Sequence, residues 1–357
     1  MEIKHLWNIT KVVLLLSISA CTQSDDLKFM QHEIFPQTTE HAHGSNIVEL
    51  PNGDLLAAWF QGSGERCADD VRIMCSRLIR GSETWSQPFL MADVPEFPDI
   101  NPVLFLDRQE RLWLVWYTVI ANQWETSLPT YRISTDFLQK SGPPVWDWQQ
   151  VLFVKPGDKT ERGMLPGDKF LQSVDRQTMA VGQYLKDSMD VSQAMLDRWE
   201  GWRSNLLKKA SGEDMKRRGY YFDEDGQRID GPMGYPYFRR MGWQTKNKAV
   251  FSGENRMILP LYSDGFSFSL MAITDDGGAN WQFSEPLVGL GNIQASIAER
   301  RDGSLVAYMR DNGPPPKRLM VSESDDGGRT WSLVRDSELP NEGSGADVVT
   351  LENGNWV

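Results

Sequence analysis

The sequence predicts an all-β chain folded as a β-propeller, and three observations carry that expectation. Thr274-Asp-Asp-Gly-Gly-Ala-Asn-Trp281 and Ser324-Asp-Asp-Gly-Gly-Arg-Thr-Trp331 both read (Ser/Thr)-x-Asp-x-Gly-x-x-Trp. They lie about 50 positions apart, the spacing of propeller blades. Beneath them runs a second repeat: Asn52 to Phe60, Gln109 to Tyr117, Glu254 to Tyr262 and Asp302 to Arg310 are each a two-residue turn followed by a nearly continuous apolar strand. A turn leading into a fully apolar strand is the pattern of a buried inner strand. Before each of these turns stands a further strand: Ser45 to Leu50, Pro102 to Leu106, Lys248 to Phe251 and Ala295 to Glu299.

The Asp motif is explained by turn chemistry. Asp276 and Asp326 can fold their carboxylates onto backbone N–H groups, and the Ser or Thr hydroxyl can do the same more weakly. Gly278 and Gly328 allow positive φ, and Trp281 and Trp331 open the next strand with a large ring to bury. These acids are therefore expected to build turns rather than to catalyse.

In chain order, Lys4 and Lys11 flank a polar start, and an apolar run from Val12 to Ile18 follows. This is a secretory signal, too short to span a bilayer. Leu16-Ser-Ile-Ser-Ala-Cys21 resembles a bacterial lipobox, which implies cleavage before Cys21, lipid attachment there and an outer-membrane destination. The expected organisation is thus a signal over 1–21, a tether over 22–33 and a propeller over 34–357. The first two units carry degraded turn boxes, at Ser76 to Trp85 and from Ser134-Thr-Asp136 to Trp148. An insertion over about 157–242 interrupts the rhythm. Within it, Met195, Leu196, Trp199, Trp202 and Leu206 have helical spacing and predict an amphipathic helix over Ser192 to Lys209; a hairpin or loop follows around Gly219 to Gly226. The insertion reads either as a lid that meets substrate through its aromatic residues or as a surface excursion. A fifth unit opens at Asp347 and runs to Val357. A chain ending inside an inner strand predicts that further blades are missing from it.

The 357 residues carry a net charge of −12, with no basic block after the first few positions. Nucleic acid is excluded as an expected partner, because phosphate binding needs a positive patch. Cys67 and Cys75 leave a disulfide open in an oxidising compartment. Their spacing is wide for zinc and no histidine lies close, so neither a metal nor a cofactor is expected.

Together the two Asp boxes, the Asn52 to Phe60 type of strand and the strand end Met309-Arg310-Asp311 resemble the sialidase (BNR/Asp-box) superfamily, in particular its bacterial "predicted neuraminidase" branch. The resemblance implies a six-bladed β-propeller with four antiparallel strands per blade and a glycan site on its axis. It further implies an arginine triad for a carboxylate, an Asp acid/base, and a Tyr nucleophile activated by a Glu. Carried over by position, the first arginine is replaced by His43-Gly44-Ser45, whereas Arg310 is kept. Asp69 and Asp70 occupy the acid/base loop, and Gln294-Ala-Ser stands where the Glu would be. The reading is an exported sialidase-like glycoside hydrolase on an acidic glycan rather than a standard sialidase. Asp70 and His43 are its proton handlers, since burial can raise a carboxyl and an imidazole titrates near neutrality. Arg310 is the anion clamp, and Asn101, Lys246, Asn247 and Gln294 are candidate sugar contacts. Two alternatives remain: a lyase in which His43 removes the proton α to a uronate carboxylate, and a glycan-binding propeller without turnover.

Overall fold

A computed structural model describes residues 31–157, 168–188, 191–212, 217–222, 225–233, 237–351 and 353–357. From Ile34 onward the chain forms one compact unit. Blade one consists of β1 (His41–Glu49), β2 (Leu55–Gly62), β3 (Arg72–Leu78) and β4 (Phe89–Ala92). Blade two consists of β5 (Asp99–Leu106), β6 (Leu112–Val119), β7 (Ser127–Ser134) and β8 (Trp148–Val151). The insertion follows, with helices α1 (Lys169–Ser188) and α2 (Gln193–Ser211), a hairpin of β9 (Arg217–Phe222) and β10 (Arg228–Met233), and the short α3 (Tyr237–Arg240). Blade three is β11 (Val250–Ser252), β12 (Arg256–Ser263), β13 (Phe268–Thr274) and β14 (Gln282–Phe283). Blade four is β15 (Asn292–Glu299), β16 (Leu305–Asp311), β17 (Arg318–Ser324) and β18 (Arg335–Pro340). Each blade is an antiparallel meander in chain order.

The second strands are apolar on both faces because neighbouring blades cover both. Trp113 and Val115 of β6 share a core with Leu259 and Leu261 of β12. Leu114 and Trp116, on the opposite face of β6, pack with Ala58 and Phe60 of β2. Ile258 of β12 meets Leu305 and Ala307 of β16 in a third cluster. Each such fully buried side chain contributes about 1.5–3 kcal/mol, so the core lies between blades rather than inside any one of them.

Both intact Asp boxes are turns. Asp276 accepts from the Thr274 hydroxyl and the Asn280 N–H, and Thr274 in turn accepts from the Gly278 N–H. Asp326 does the same with Ser324 and Thr330. Gly278 has φ of 91°, and a Cβ there would stand 2.5 Å from the Trp113 ring of blade two. Only glycine meets both conditions. An arginine at the start of the preceding blade's second strand grips each box: Arg111 donates to Gly277 O and Arg256 to Gly327 O. In blade two, Ser134 keeps the opening of the box by accepting from the Asp136 N–H. Ser76 in blade one is not a box serine; it bonds Ser86 as Ser322 bonds Ser332 in blade four.

Three expectations are corrected. The described residues form four blades, not the six that the resemblance implies, since only four four-stranded sheets are present among them. Beyond blade four, Val349 and Val357 exchange backbone hydrogen bonds as the opening of another hairpin. The predicted helix is present as α2, capped by Ser192 and ended by the left-handed Gly212, but α1 was not foreseen. Its Phe170, Val174, Val181 and Leu185 are buried at helical intervals. Asp168 caps α1 and pairs with buried Arg239 of α3 at 2.5 Å. Cys67 and Cys75 are both free thiols: Cys67 is exposed in a loop, while Cys75 points into the blade-one core, where burial pushes its thiol upward.

Cys21 and the export segment lie outside the described residues. No helix among the described residues is long and apolar enough to cross a membrane.

Candidate active site

Three of the four first strands break register at the same place. The irregularities lie between His43 and Asn46 in β1, Ile100 and Val103 in β5, and Ile293 and Ser296 in β15. The first residue after each last regular pair is left-handed: Gly44 (φ 62°), Asn101 (φ 49°) and Gln294 (φ 56°). Such bulges twist a strand and re-aim its side chains. Gly44 must lack a side chain, since a Cβ there would lie 2.5 Å from Asn101 Oδ1 and 2.7 Å from the Phe60 ring. In blade three the corresponding pair is an isolated bridge, Gln244 to Tyr262.

Opposite these positions stand Phe60, Tyr117, Tyr262 and Arg310, one from each blade. They line a single cavity of about 560 Å³ whose wall is also formed by His43, Glu65, Asn101, Trp124, Lys246, Asp264 and Gln294. A chain of polar contacts runs along it. Asn101 Nδ2 donates to Tyr117 Oη (3.2 Å) at one end, Gln294 Nε2 donates to Tyr262 Oη (3.4 Å) at the other, and the two tyrosine hydroxyls are neighbours between them. Gln294 Oε1 then accepts from Arg310 at 3.4 Å. Burial holds both phenols neutral, with Tyr262 pushed up to about 12.

The charges around this chain are poorly satisfied. Arg310 forms no ion pair among the described residues, and its Nε is buried without a partner. The neighbouring acids are engaged elsewhere: Asp311 with Lys317 and the Gly313 N–H, and Asp347 with Ser296. Lys246 is partly buried. Burial lowers its pKa, Asp347 opposes that shift, and the nearby Arg310 charge adds to it. Two cations close enough to repel each other at one cavity make a site for an anion. Asp264 has the opposite perturbation: burial raises its carboxyl above the usual range, against the pull of Gln244 and Arg310. A carboxyl raised by burial at a polar cavity is suited to act as a proton donor. Glu65 supplies a second carboxylate, with His41 Nε2 at 3.9 Å from it.

The family profile described as "BNR repeat-like domain" matches residues 53–159 and 242–357, on either side of the insertion. The chain belongs to the BNR repeat-like family. A stretch of 89 residues, 24% of this chain and 11% of the relative, is 37% identical to an anhydrosialidase of Macrobdella decora. The fold is similar to that of a protein of unknown function from Dyadobacter fermentans, at 14% identity and a TM-score of 0.55, covering 90% of this chain and 76% of that one. It is also similar to the Hadza microbial sialidase Hz136, at 13% identity and a TM-score of 0.52, covering 88% of this chain and 52% of the sialidase. The chain thus spans a small part of its sequence relative and about half of that sialidase.

In this BNR repeat-like chain, five of the residues expected from sequence share the cavity: His43, Asn101, Lys246, Gln294 and Arg310. Two do not. Asn247 is buried and spends its amide on the carbonyls of Gln294, Ala295 and Ala346. As Lys246 reaches the cavity, its neighbour is turned away. Asp70 is exposed outside the cavity, and its carboxylate accepts from the Ser63 N–H (3.0 Å) and hydroxyl (2.8 Å). These bonds lower its pKa, the reverse of what a proton donor needs. Asp70 instead closes the 63–70 loop that brings Glu65 to the wall.

The missed residues are Glu65, Tyr117, Tyr262 and Asp264. The tyrosines had a signal: Phe60, Tyr117, Tyr262 and Arg310 are each the last residue of the four aligned turn-strand repeats. Asp264 lies two positions further on, in the turn that follows β12. Its Ser263-Asp264-Gly265 context reads as an ordinary turn.

Proposed function

We propose that this chain is a sialidase-like glycoside hydrolase that cleaves a glycan bearing a carboxylate. The observation that carries the reading is the pair of cations Arg310 and Lys246, free of ion pairs with carboxylates among the described residues, beside the raised carboxyl of Asp264. In this reading Arg310 and Lys246 hold the sugar carboxylate with charge-assisted hydrogen bonds. Asp264 gives its proton to the departing glycosidic oxygen, and Glu65 takes a proton from the water that replaces it. Tyr117 and Tyr262, kept neutral, offer hydroxyls to the sugar ring. The family relationship and the sialidase-like fold support the reaction class. His43 and Gln294, standing where the resemblance implies Arg and Glu, favour an acidic sugar other than the standard sialidase substrate.

The test is a panel of uronate-, sialate- and neutral-sugar oligosaccharides, with products scored for new reducing ends and for ultraviolet-absorbing unsaturated sugars. The reading expects reducing ends without unsaturation, from acidic glycans only. Unsaturated products would assign the protein to the lyases, with His43 as the base, and turnover of neutral glycans alone would remove the anion clamp.

The reading includes export and lipid attachment at Cys21, supported by the lipobox-like Leu16 to Cys21 segment. Fatty-acid labelling that persists in a Cys21→Ser variant would exclude it.

A further inference from the structure

A second cavity of about 510 Å³ adjoins the first, bounded by the insertion on one side and, on the other, by the turn from β12 to β13, the segment before β15 and the loop after β16. The two cavities share Asn312, and the same connections serve both: Asp264 of the β12–β13 turn and Arg310 of β16 face the first, Ser267 of that turn and Gly313 just after β16 the second. The second is of different character. Trp199 and Trp202 of α2 stack with ring centroids 4.8 Å apart, and Trp199 is packed against Gly182 of α1. Both rings and Met195 line the cavity, with Arg198 at its exposed edge. The Arg198 Nε bonds the Ala194 carbonyl of its own helix, and its guanidinium forms no ion pair among the described residues.

We propose that this cavity is a second sugar subsite, taking the ring next to the one held by Arg310 and Lys246, and that this next ring is also anionic. The inference rests on the hydrolase reading above. Sugar rings present an apolar C–H face that packs on aromatic and methionine surface, and a stacked indole pair is already fixed before binding, so little rotamer freedom is lost. Arg198 meets the charge of that ring where solvent reaches it. A substrate crossing Asn312 would therefore be an oligosaccharide with at least two consecutive acidic sugars, and the insertion selects for chain length rather than for the bond cleaved.

Binding is measured by tryptophan fluorescence, using galacturonate with its dimer and trimer, and sialic acid with its dimer. Wild-type protein is compared with Trp202→Ala, Arg198→Ala and Arg310→Ala. The expected result is an affinity gain of about tenfold from one ring to two. Trp202→Ala and Arg198→Ala erase that gain and leave single-ring affinity unchanged, whereas Arg310→Ala weakens every ligand. Because Trp202 also packs against two core clusters, the exposed Arg198→Ala variant keeps the test valid if Trp202→Ala fails to fold. Affinity that does not depend on ring number, or a gain that survives in Arg198→Ala, overturns the second subsite and leaves the hydrolase reading standing. Binding that is indifferent to Arg310→Ala overturns the hydrolase reading, and the subsite with it.

Discussion

Asp326, in the turn between the third and fourth strands of blade four, accepts hydrogen bonds from Ser324, Arg329 and Thr330. Burial acts to raise its pKa, but these donors outweigh it and the carboxyl is lowered. Asp264, in the turn that follows a second strand, has its carboxyl raised by burial. The two acids belong to the same repeat architecture and have opposite electrostatics. Each intact Asp box supplies its carboxylate with local donors, so the turn is stable and chemically spent. The cavity brings together groups from four blades, among them charges that are not locally satisfied, and that is where chemistry remains available.

Three predictions press on this contrast. Asp264→Asn should lower kcat by about 10²–10⁴-fold, the range for losing a general acid, while leaving the unfolding midpoint nearly unchanged; steady-state kinetics with a denaturant titration checks both. The box variants should behave in reverse. Gly278→Ala forces a side chain onto Trp113 in a left-handed conformation, costing about 1–3 kcal/mol. Asp326→Ala costs about 1 kcal/mol. Both should leave kcat intact in the same assays. A kcat loss in Asp326→Ala matching that in Asp264→Asn would erase the distinction.

The smallest effect concerns Asp99, buried in blade two. It accepts from the Val94 N–H, Trp116 Nε1 and the Thr118 hydroxyl. Burial outweighs these donors and raises its pKa from 3.8 to about 6. A carboxyl raised on folding contributes stability that is fully present below its unfolded value and is lost as pH rises through its folded value. The melting-temperature difference between wild type and Asp99→Asn should therefore be larger near pH 4 than near pH 7.5. A difference that widens with pH would show that the donors win over burial.

Much of the fold was legible because its signals are local. The Asp boxes declare themselves within eight residues, and the apolar second strands within nine. His43, Asn101, Lys246, Gln294 and Arg310 were legible because position in a repeated strand translates into position at the cavity. Asp264 was not, since what raises its carboxyl is burial in the folded cavity, against the opposing pull of Gln244 and Arg310, and no local pattern in the sequence announces that burial. Asp70 misled for the same reason. Its acidic loop looked catalytic until Ser63, seven residues earlier, proved to hold its carboxylate. Asn247 shows that adjacent residues in a bend can part company: Lys246 reaches the cavity while Asn247 turns its amide onto the carbonyls of Gln294, Ala295 and Ala346.

The central claim is that the unsatisfied cations of the cavity recognise a carboxylate. Initial rates on an acidic oligosaccharide and on its carboxyl-reduced neutral counterpart, for wild type and Arg310→Ala, test it most directly. The account predicts that wild type prefers the carboxylated form by about 10-fold or more, as expected for a charge-assisted contact of roughly 1.5–3 kcal/mol, and that Arg310→Ala abolishes the preference. Equal rates for wild type on both, or a preference that survives in Arg310→Ala, would contradict it.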